Sequence, residues 1–584
     1  MTPLRKKPAI QLFLICIISL AILIANATKL TYHTKISGLN AKLTQKALST
    51  LTSQESVNLT EPIQLRILAS QNKNTLNTFL QTQGYFHADI EVLIDHKNTW
   101  QIEYRIHLGP ATHITQSRIS ITGPGKHNPA LQRIIVNSPL KPGRRFVQQR
   151  YTRLKSTLLS TAIAQGYLNA KLTQHTVYVN RPQNQARIVI TLQTDQLYRI
   201  STTQFVQNGF HFAPTFLRRF VPYQPHSIYQ YDKQAQLQKN LESSNYFDNI
   251  NVHSQRNDQN KKVAITANLS AKKPQQYTFG IGYGTETGPR ALLGWKLRHI
   301  TPTGQKLTAR MEISKLYVNF GVSYIFPGKS PLTDYTSLNA GQSYTNITPY
   351  TALETAVGIN WTRQTGRWHW NLGLHQNFVR YSLQVGQDQF AKYLIPDFFF
   401  RYQHYRQGGY WPTGFSWRND LSGTIENPLS TQSFLRDTSH ILISYSLSRN
   451  NRLYSRLAVG ALATHDLDSL SPTLRYYAGG VNNVRGYSFK SLSPSKNGSL
   501  TGGHYMFLAS ISLEHRFVGN WSGLVFYNVG NAFNQFNHLD GAQGAGIGVS
   551  WRSPMGPIQL FLSHPLFHRG QHSWRLDFNI GMNF

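Results

Sequence analysis

The chain has a single cysteine, Cys16, among its 584 residues. That excludes disulfide frameworks and cysteine-type zinc sites. Charged residues make up only 14%, against about 25% in ordinary soluble domains. Acidic residues are the scarcest: 25 Asp and Glu stand against 59 Lys and Arg, a formal net charge of +34. Beyond the N-terminus no run reaches the roughly 18 apolar residues of a spanning helix. With a mean hydropathy of −0.36, a polytopic helical membrane protein is excluded. What is plentiful is aromatic and small: 30 Tyr, 30 Phe and 42 Gly. Such a composition suits strands with one lipid face and one wet face.

At the N-terminus, Arg5, Lys6 and Lys7 precede an apolar run from Ala9 to Ile24, and Ala25-Asn26-Ala27 follows. This order predicts a cleaved secretory signal over residues 1–27. The run is about 16 residues long, short for a membrane span of about 20. Cys16 lies within it, so the mature chain is expected to hold no cysteine.

An internal repeat of about 80 residues fills the first half. Gln83-Gly84-Tyr85-Phe86 is echoed by Gln165-Gly166-Tyr167-Leu168 and, more weakly, by Ser244-Asn245-Tyr246-Phe247. A second marker recurs at a similar spacing: Ile36-Ser37-Gly38, Ile121-Thr122-Gly123 and Gln207-Asn208-Gly209. The second unit shows the pattern of each: a strand at Ser117–Thr122, helices at Pro129–Val136 and Arg150–Ala164, and a hairpin at Ala170–Val179 and Ala186–Thr194. Leu154, Leu158, Leu159 and Ile163 are expected to form the buried face of the second helix. A β-α-α-β-β unit ending its second helix on Gly-Tyr resembles the POTRA domain of bacterial outer-membrane assembly proteins. The expected divisions are 28–110, 111–196 and 197–273, with residues 274–584 as a transmembrane β-barrel.

From Pro274 onward helical periodicity disappears. Sixteen alternating runs start near Gln276, Ala291, Lys306, Leu316, Thr333, Tyr350, Trp368, Lys392, Trp411, Thr438, Asn451, His504, Trp521, Gln543, Pro557 and Ser573. An even number is what a closed barrel of this kind requires. In the last run Trp574, Leu576, Phe578, Ile580, Met582 and Phe584 alternate with Arg575, Asp577, Asn579, Gly581 and Asn583. Period 2 assigns the first set to lipid and the second to the lumen. Ending on Phe in this pattern resembles the C-terminal signal by which outer-membrane barrels are recognised.

Between the eleventh and twelfth runs lies Ala478-Gly479-Gly480-Val481-Asn482-Asn483-Val484-Arg485-Gly486-Tyr487. This resembles the Val-Arg-Gly-aromatic signature of the BamA/TamA outer-membrane assembly superfamily. The resemblance covers nearly the whole mature chain. Its three repeats resemble the translocation-and-assembly-module branch rather than members with five or two. It implies that the loop folds into the barrel and that Arg485 pairs with polar groups there, with Glu514 as the expected partner. The family's acidic position in a Phe-x-Asp-x-Gly stretch is Asn528 here, within Phe526-Tyr527-Asn528-Val529-Gly530. The loop-anchoring set is therefore Val484, Arg485, Gly486, Tyr487, Glu514 and Asn528. The Gly-rich first run is expected to form a lateral gate with the last, through Tyr277, Gly280, Gly282, Gly284, Phe578, Gly581 and Phe584. Glycine weakens strand pairing, and tight packing of these glycines beneath the loop is the other account of them.

No acidic residue falls between Tyr104 and Thr194, while thirteen basic ones do. Lys141, Arg144, Arg145, Arg150, Arg153 and Lys155 are the candidates for an anionic surface, such as outer-membrane lipids or lipopolysaccharide. Nucleic acid is not expected in an envelope compartment. Gly282-x-Gly284 has no following helix, Gly328-Lys329-Ser330 lacks the first P-loop glycine, and no carboxylate pair stands out. No enzyme activity, cofactor or metal is expected. The resemblance implies assembly of client outer-membrane β-barrel proteins such as autotransporters. It also implies a TamB-like inner-membrane-anchored periplasmic partner. A secretion pore for one dedicated soluble protein and a lipid-transport or envelope scaffold are the alternatives.

Overall fold

The computed structural model describes residues 31–580 apart from 52–58, 60, 98, 384–386, 407–409, 537–540, 555 and 568–572. The expected signal segment, and Gly581 and Phe584 of the expected gate, lie outside the described residues. The chain divides into two compact units. One holds residues 1–202, 225–233 and 254–264, and the other holds the rest, including the barrel.

Three small sheets come first. The strands Tyr32–Ser37, Asp89–His96 and Trp100–His107 form the first. Its third strand lies in the middle, parallel to the first and antiparallel to the second. The strands His113–Thr122, Lys171–Asn180 and Gln185–Gln193 repeat that arrangement. So do Arg199–Asn208, Phe247–Asn257 and Lys262–Ala271 in strand order. Each sheet carries helices inserted between its first two strands. In the second module these are Pro129–Val136, capped by the Asn128 side chain, and Gln148–Ala164.

The second helix of that module buries Tyr151, Leu154, Leu158 and Ala162. Ile163 is 38% exposed, which corrects the expected face. Small Ala162, not Ile163, continues the stripe at spacings of three and four residues. Beneath it Ile188, Ile190 and Leu192 complete a separate core for this module.

Both repeat markers have one physical cause. Gly84, Gly166 and Asn245 follow the second helices with φ of 88°, 97° and 60°, and Gly38, Gly123 and Gly209 end the first strands with φ of 86°, 87° and 84°. A left-handed turn favours glycine, with asparagine the next best choice. The helix-end position is also a joint. Gly84 O accepts from Thr112 N at 2.8 Å and Gly166 O from Tyr198 N at 3.0 Å. Arg145 donates to the Tyr85 hydroxyl and lies 5.0 Å from its ring centre. At the next joint Asp195 accepts from Lys261 at 2.7 Å and Asn169 at 3.2 Å. Lys261 first, then the Gln196 amide and Asn169, hold the Asp195 carboxyl down to about 2.

The barrel is closed and antiparallel. It runs from Gln275–Gly284 to Arg575–Ile580 through sixteen strands, each paired with its neighbour in sequence. The expected starts fall at or within a few residues of the observed ones. The largest departure is Thr438, which lies inside Phe434–Ser446. Outward positions such as Phe279 and Ile281 are exposed apolar side chains, as lipid-facing positions should be. An aromatic group of Phe212, Phe216, Phe220 and Tyr246 seats the turn at 300–305. Tyr246 donates to Gly304 O, and a Cβ on Gly304 would stand 2.2 Å from the Phe216 ring.

Candidate functional site: the barrel lumen and its seam

The connection between Asn451–Thr464 and Tyr505–Val518 folds inward. Its Tyr476, Tyr477, Ala478, Val484, Tyr487 and Leu492 are buried. Glycines of the wall make room for it. A Cβ on Gly460 would meet the Tyr476 ring at 2.5 Å, and one on Gly544 would meet Arg485 O at 1.9 Å. Gly486 takes φ of +98° against the Pro565 backbone, a turn no branched side chain tolerates. Hydrogen bonds then tie the loop to the wall: Lys490 Nζ to Tyr350 at 3.1 Å, Tyr487 to Gln543 O at 3.2 Å and Tyr381 to Ser469 O at 3.1 Å. Arg475 closes the loop on itself through the carbonyls of Asp468, Leu470 and Thr501.

Arg485 is nine-tenths buried, but its expected pairing is corrected. Glu514 is bonded by Arg452 of the neighbouring strand and by Ser522 at 2.5 Å. Arg452 and Glu514 stand directly opposite in register, so the shorter connection wins. Asn528 donates to Ser510 at 2.6 Å rather than engaging Arg485. The Arg485 guanidinium lies instead against Phe526 and Phe561, at 4.4 and 4.6 Å from their ring centres. Cation–π contact to two rings gives it a geometry that no carboxylate dictates. The contact was hidden in sequence because Phe526 and Phe561 each read as one more aromatic strand residue.

The seam joins the first strand to the last, which is described as far as Ile580. All ten residues of Gln275–Gly284 pair with the second strand. Among the described residues only Tyr283 and Gly284 stand in register with the last strand, opposite Ile580 and Asn579. Thr285 N continues to Phe578 O at 2.9 Å, and Phe578 N returns to the Thr285 hydroxyl at 2.7 Å. A Cβ on Gly282 would stand 2.7 Å from Ile580 O, so this glycine allows close approach across the seam. Gly280 and Tyr277 lie on the part of the strand with no described partner there.

Side chains bridge the seam and the loop together. Glu286, in the turn after the first strand, accepts from Val481 N of the loop at 3.1 Å and from Arg575 of the last strand at 3.3 Å. Arg575 also bonds Ser488 of the loop at 3.1 Å and pairs with buried Asp577 at 2.9 Å. Arg290 donates to Asn579 at 2.7 Å. Sequence reasoning placed Arg575 and Asp577 in the lumen without giving them a role. The available signal was two opposite charges two residues apart on one strand face.

In the second module, Lys141, Arg144, Arg150 and Arg153 are exposed. Arg145 is committed to Tyr85, and Lys155 lies over the Tyr151 ring at 4.9 Å. Arg150 and Arg153 join Arg133, absent from the expected set, around a cavity of about 510 Å³ floored by Ile134 and Leu154. Among the described residues no cluster of three or more His, Cys, Asp or Glu could hold a metal.

Residues 301–584 match the Omp85 superfamily domain. The outer membrane protein assembly factor BamA of Nitratidesulfovibrio vulgaris is 29% identical over 164 residues, 26% of this chain and 20% of that protein. The chain thus spans about a fifth of the length of this curated relative. The crystal structure of BamA from Haemophilus ducreyi lacking POTRA domains 1-3 is similar with a TM-score of 0.68 at 16% identity, covering 80% of this chain and 99% of that one. CdiB from Acinetobacter baumannii gives 0.46 at 14% identity, over 90% and 99%. The Haemophilus structure shares the fold of this chain. The barrel is an outer-membrane barrel, and the modules before it lie in the periplasm.

Proposed function

We propose that this protein is an assembly factor of the TamA type, which inserts and translocates client β-barrel proteins through the seam. The seam, where Gly282 allows close approach to Ile580 O and Glu286 and Arg575 tie the first and last strands to the folded-in loop, carries this reading. Opening there would leave the edge backbone of the first strand, Gln275–Gly284, free to bond a client strand. Client strand pairing and burial of apolar faces in lipid drive insertion without nucleotide hydrolysis. The modules at 28–110, 111–196 and 197–273 would receive clients and dock a TamB-like partner anchored in the inner membrane. Site-specific crosslinkers at Tyr277 and Phe279 should capture client strands during assembly. Capture only from positions on the opposite wall would overturn the proposal. A secretion pore would need the loop at 465–504 to leave the lumen and should conduct ions across a planar bilayer, where the insertase reading expects little current.

The exposed cations of the second module fit an anionic lipid surface. Each is worth about 1 kcal/mol near such a surface, and Lys141, Arg144, Arg150 and Arg153 are exposed. The soluble fragment 28–273 should float with anionic vesicles at low salt and release near 1 M, where the Debye length falls to about 3 Å. Equal flotation with neutral vesicles would show that charge is not the cause.

A further inference from the structure

The lumen holds a cavity of about 480 Å³ directly beneath the loop tip. Arg290, Arg452, Arg456, Arg485 and Arg552 line it. Its carboxylates are Glu286 and Glu514, and both are already engaged, by Arg575 and Arg452. Arg485 lies in the wall of this cavity with two of its nitrogens, Nε and Nη1, lacking any hydrogen-bond partner. Arg456 makes no hydrogen bond to a described residue. Arg552 stacks on Trp411 at 4.1 Å rather than on a carboxylate.

Water can occupy those donors, but it cannot neutralise the charge. Several guanidinium groups inside a protein wall repel one another far more than they would in bulk water. An oxyanion answers both needs, since its oxygens accept from planar guanidinium forks on several sides. A tetrahedral phosphate also leaves room in the cavity for ordered water, at about 30 Å³ per molecule.

We propose that this lumenal cavity binds a phosphate-class oxyanion, held by Arg485 and Arg456 and thereby fixing the loop tip. The cavity also reaches Gly284, Thr285, Phe578 and Asn579 of the seam. Two sources therefore share the chemistry: free phosphate, and the phosphoryl group of a lipid entering between the first and last strands.

The test uses the full-length protein in detergent. Equilibrium dialysis with radiolabelled inorganic phosphate is run at constant ionic strength, with chloride replaced stepwise. Saturable binding near one phosphate per chain is expected. Arg456→Gln and Arg552→Gln should each weaken it about tenfold, and Arg418→Gln, whose cation pairs with Asp420 elsewhere, should not. Unboiled gel mobility checks that each variant still forms a barrel. Displacement of the label by phosphatidylglycerol but not by phosphatidylcholine assigns the site to lipid phosphate, and retention assigns it to the free ion. No saturable binding by the wild type, or equal binding by wild type and both cavity variants, overturns the proposal.

Discussion

A disulfide joining Gly284→Cys to Asn579→Cys is expected to stop client assembly while leaving a folded barrel. These two positions are register partners across the seam. Opposed residues in an antiparallel ladder have Cα atoms about 4.5–5.5 Å apart, within the range a disulfide spans. Gly284 tolerates the change better than Gly282. A Cβ on Gly284 meets only the Thr287 hydroxyl at 2.9 Å, a side chain that can turn away. The rest of the chain offers Cys16 alone as a competing thiol. Each ladder hydrogen bond contributes about 1 kcal/mol and can break and re-form, whereas a covalent bond holds the seam closed until it is reduced. Assembly of a client barrel, followed by its shift in unboiled gel mobility, should fall to background when oxidised and recover on reduction. Undiminished assembly with the crosslink quantitatively formed would end the lateral-gate reading.

The Glu286 bridge refines that expectation. Because Glu286 meets both Arg575 of the last strand and Val481 N of the loop, loop and seam are joined through one carboxylate. Glu286→Gln keeps the acceptor for Val481 but removes the charge that attracts Arg575. This variant should lie on the opposite side of wild type from the disulfide. It should give faster crosslinking of client strands at Phe279 and easier proteolysis at the seam.

The architecture was legible because its signals are periodic. Alternation along Trp574–Ile580 or Trp368–Leu383 follows from the pleat alone, and the module repeat follows from a turn that demands φ > 0 at Gly84 and Gly166. Even the imperfect third copy obeys, with Asn245 replacing glycine at φ of 60°. Side-chain partnership carries no such period. Glu514 and Arg485 looked complementary from sequence because one motif supplied a cation and the next strand an anion. Register decided otherwise: Arg452 stands opposite Glu514 on the adjacent strand, and a partner already in place needs no loop to reach it. Arg133 was likewise overlooked in the second module, since only the packing of Pro129–Val136 beside Gln148–Ala164 brings it near Arg150 and Arg153.

Arg485→Ala is expected to release the loop tip, and the manner of release separates stacking from ion pairing. The substitution removes contacts to two rings, Phe526 and Phe561. At about 0.5–2 kcal/mol per buried cation–π contact, the loss comes to roughly 1–4 kcal/mol. It should appear as protease cleavage within 465–504 and a lower unfolding temperature of the barrel. Arg485→Lys keeps the charge but not the flat face, so it should recover only part of the difference. The discriminating measurement is a pair of double-mutant cycles. Residues in contact couple by about 0.5–3 kcal/mol, and independent ones add within about 0.5 kcal/mol. Arg485→Ala with Phe561→Leu should therefore be coupled, because losing the ring matters only while the guanidinium rests on it. Arg485→Ala with Glu514→Gln should come closer to additivity, because the Glu514 oxygens are held by Arg452 and Ser522 whether or not Arg485 is present. If the Glu514 cycle shows the larger coupling, the anchor is ionic after all and the aromatic faces merely surround it.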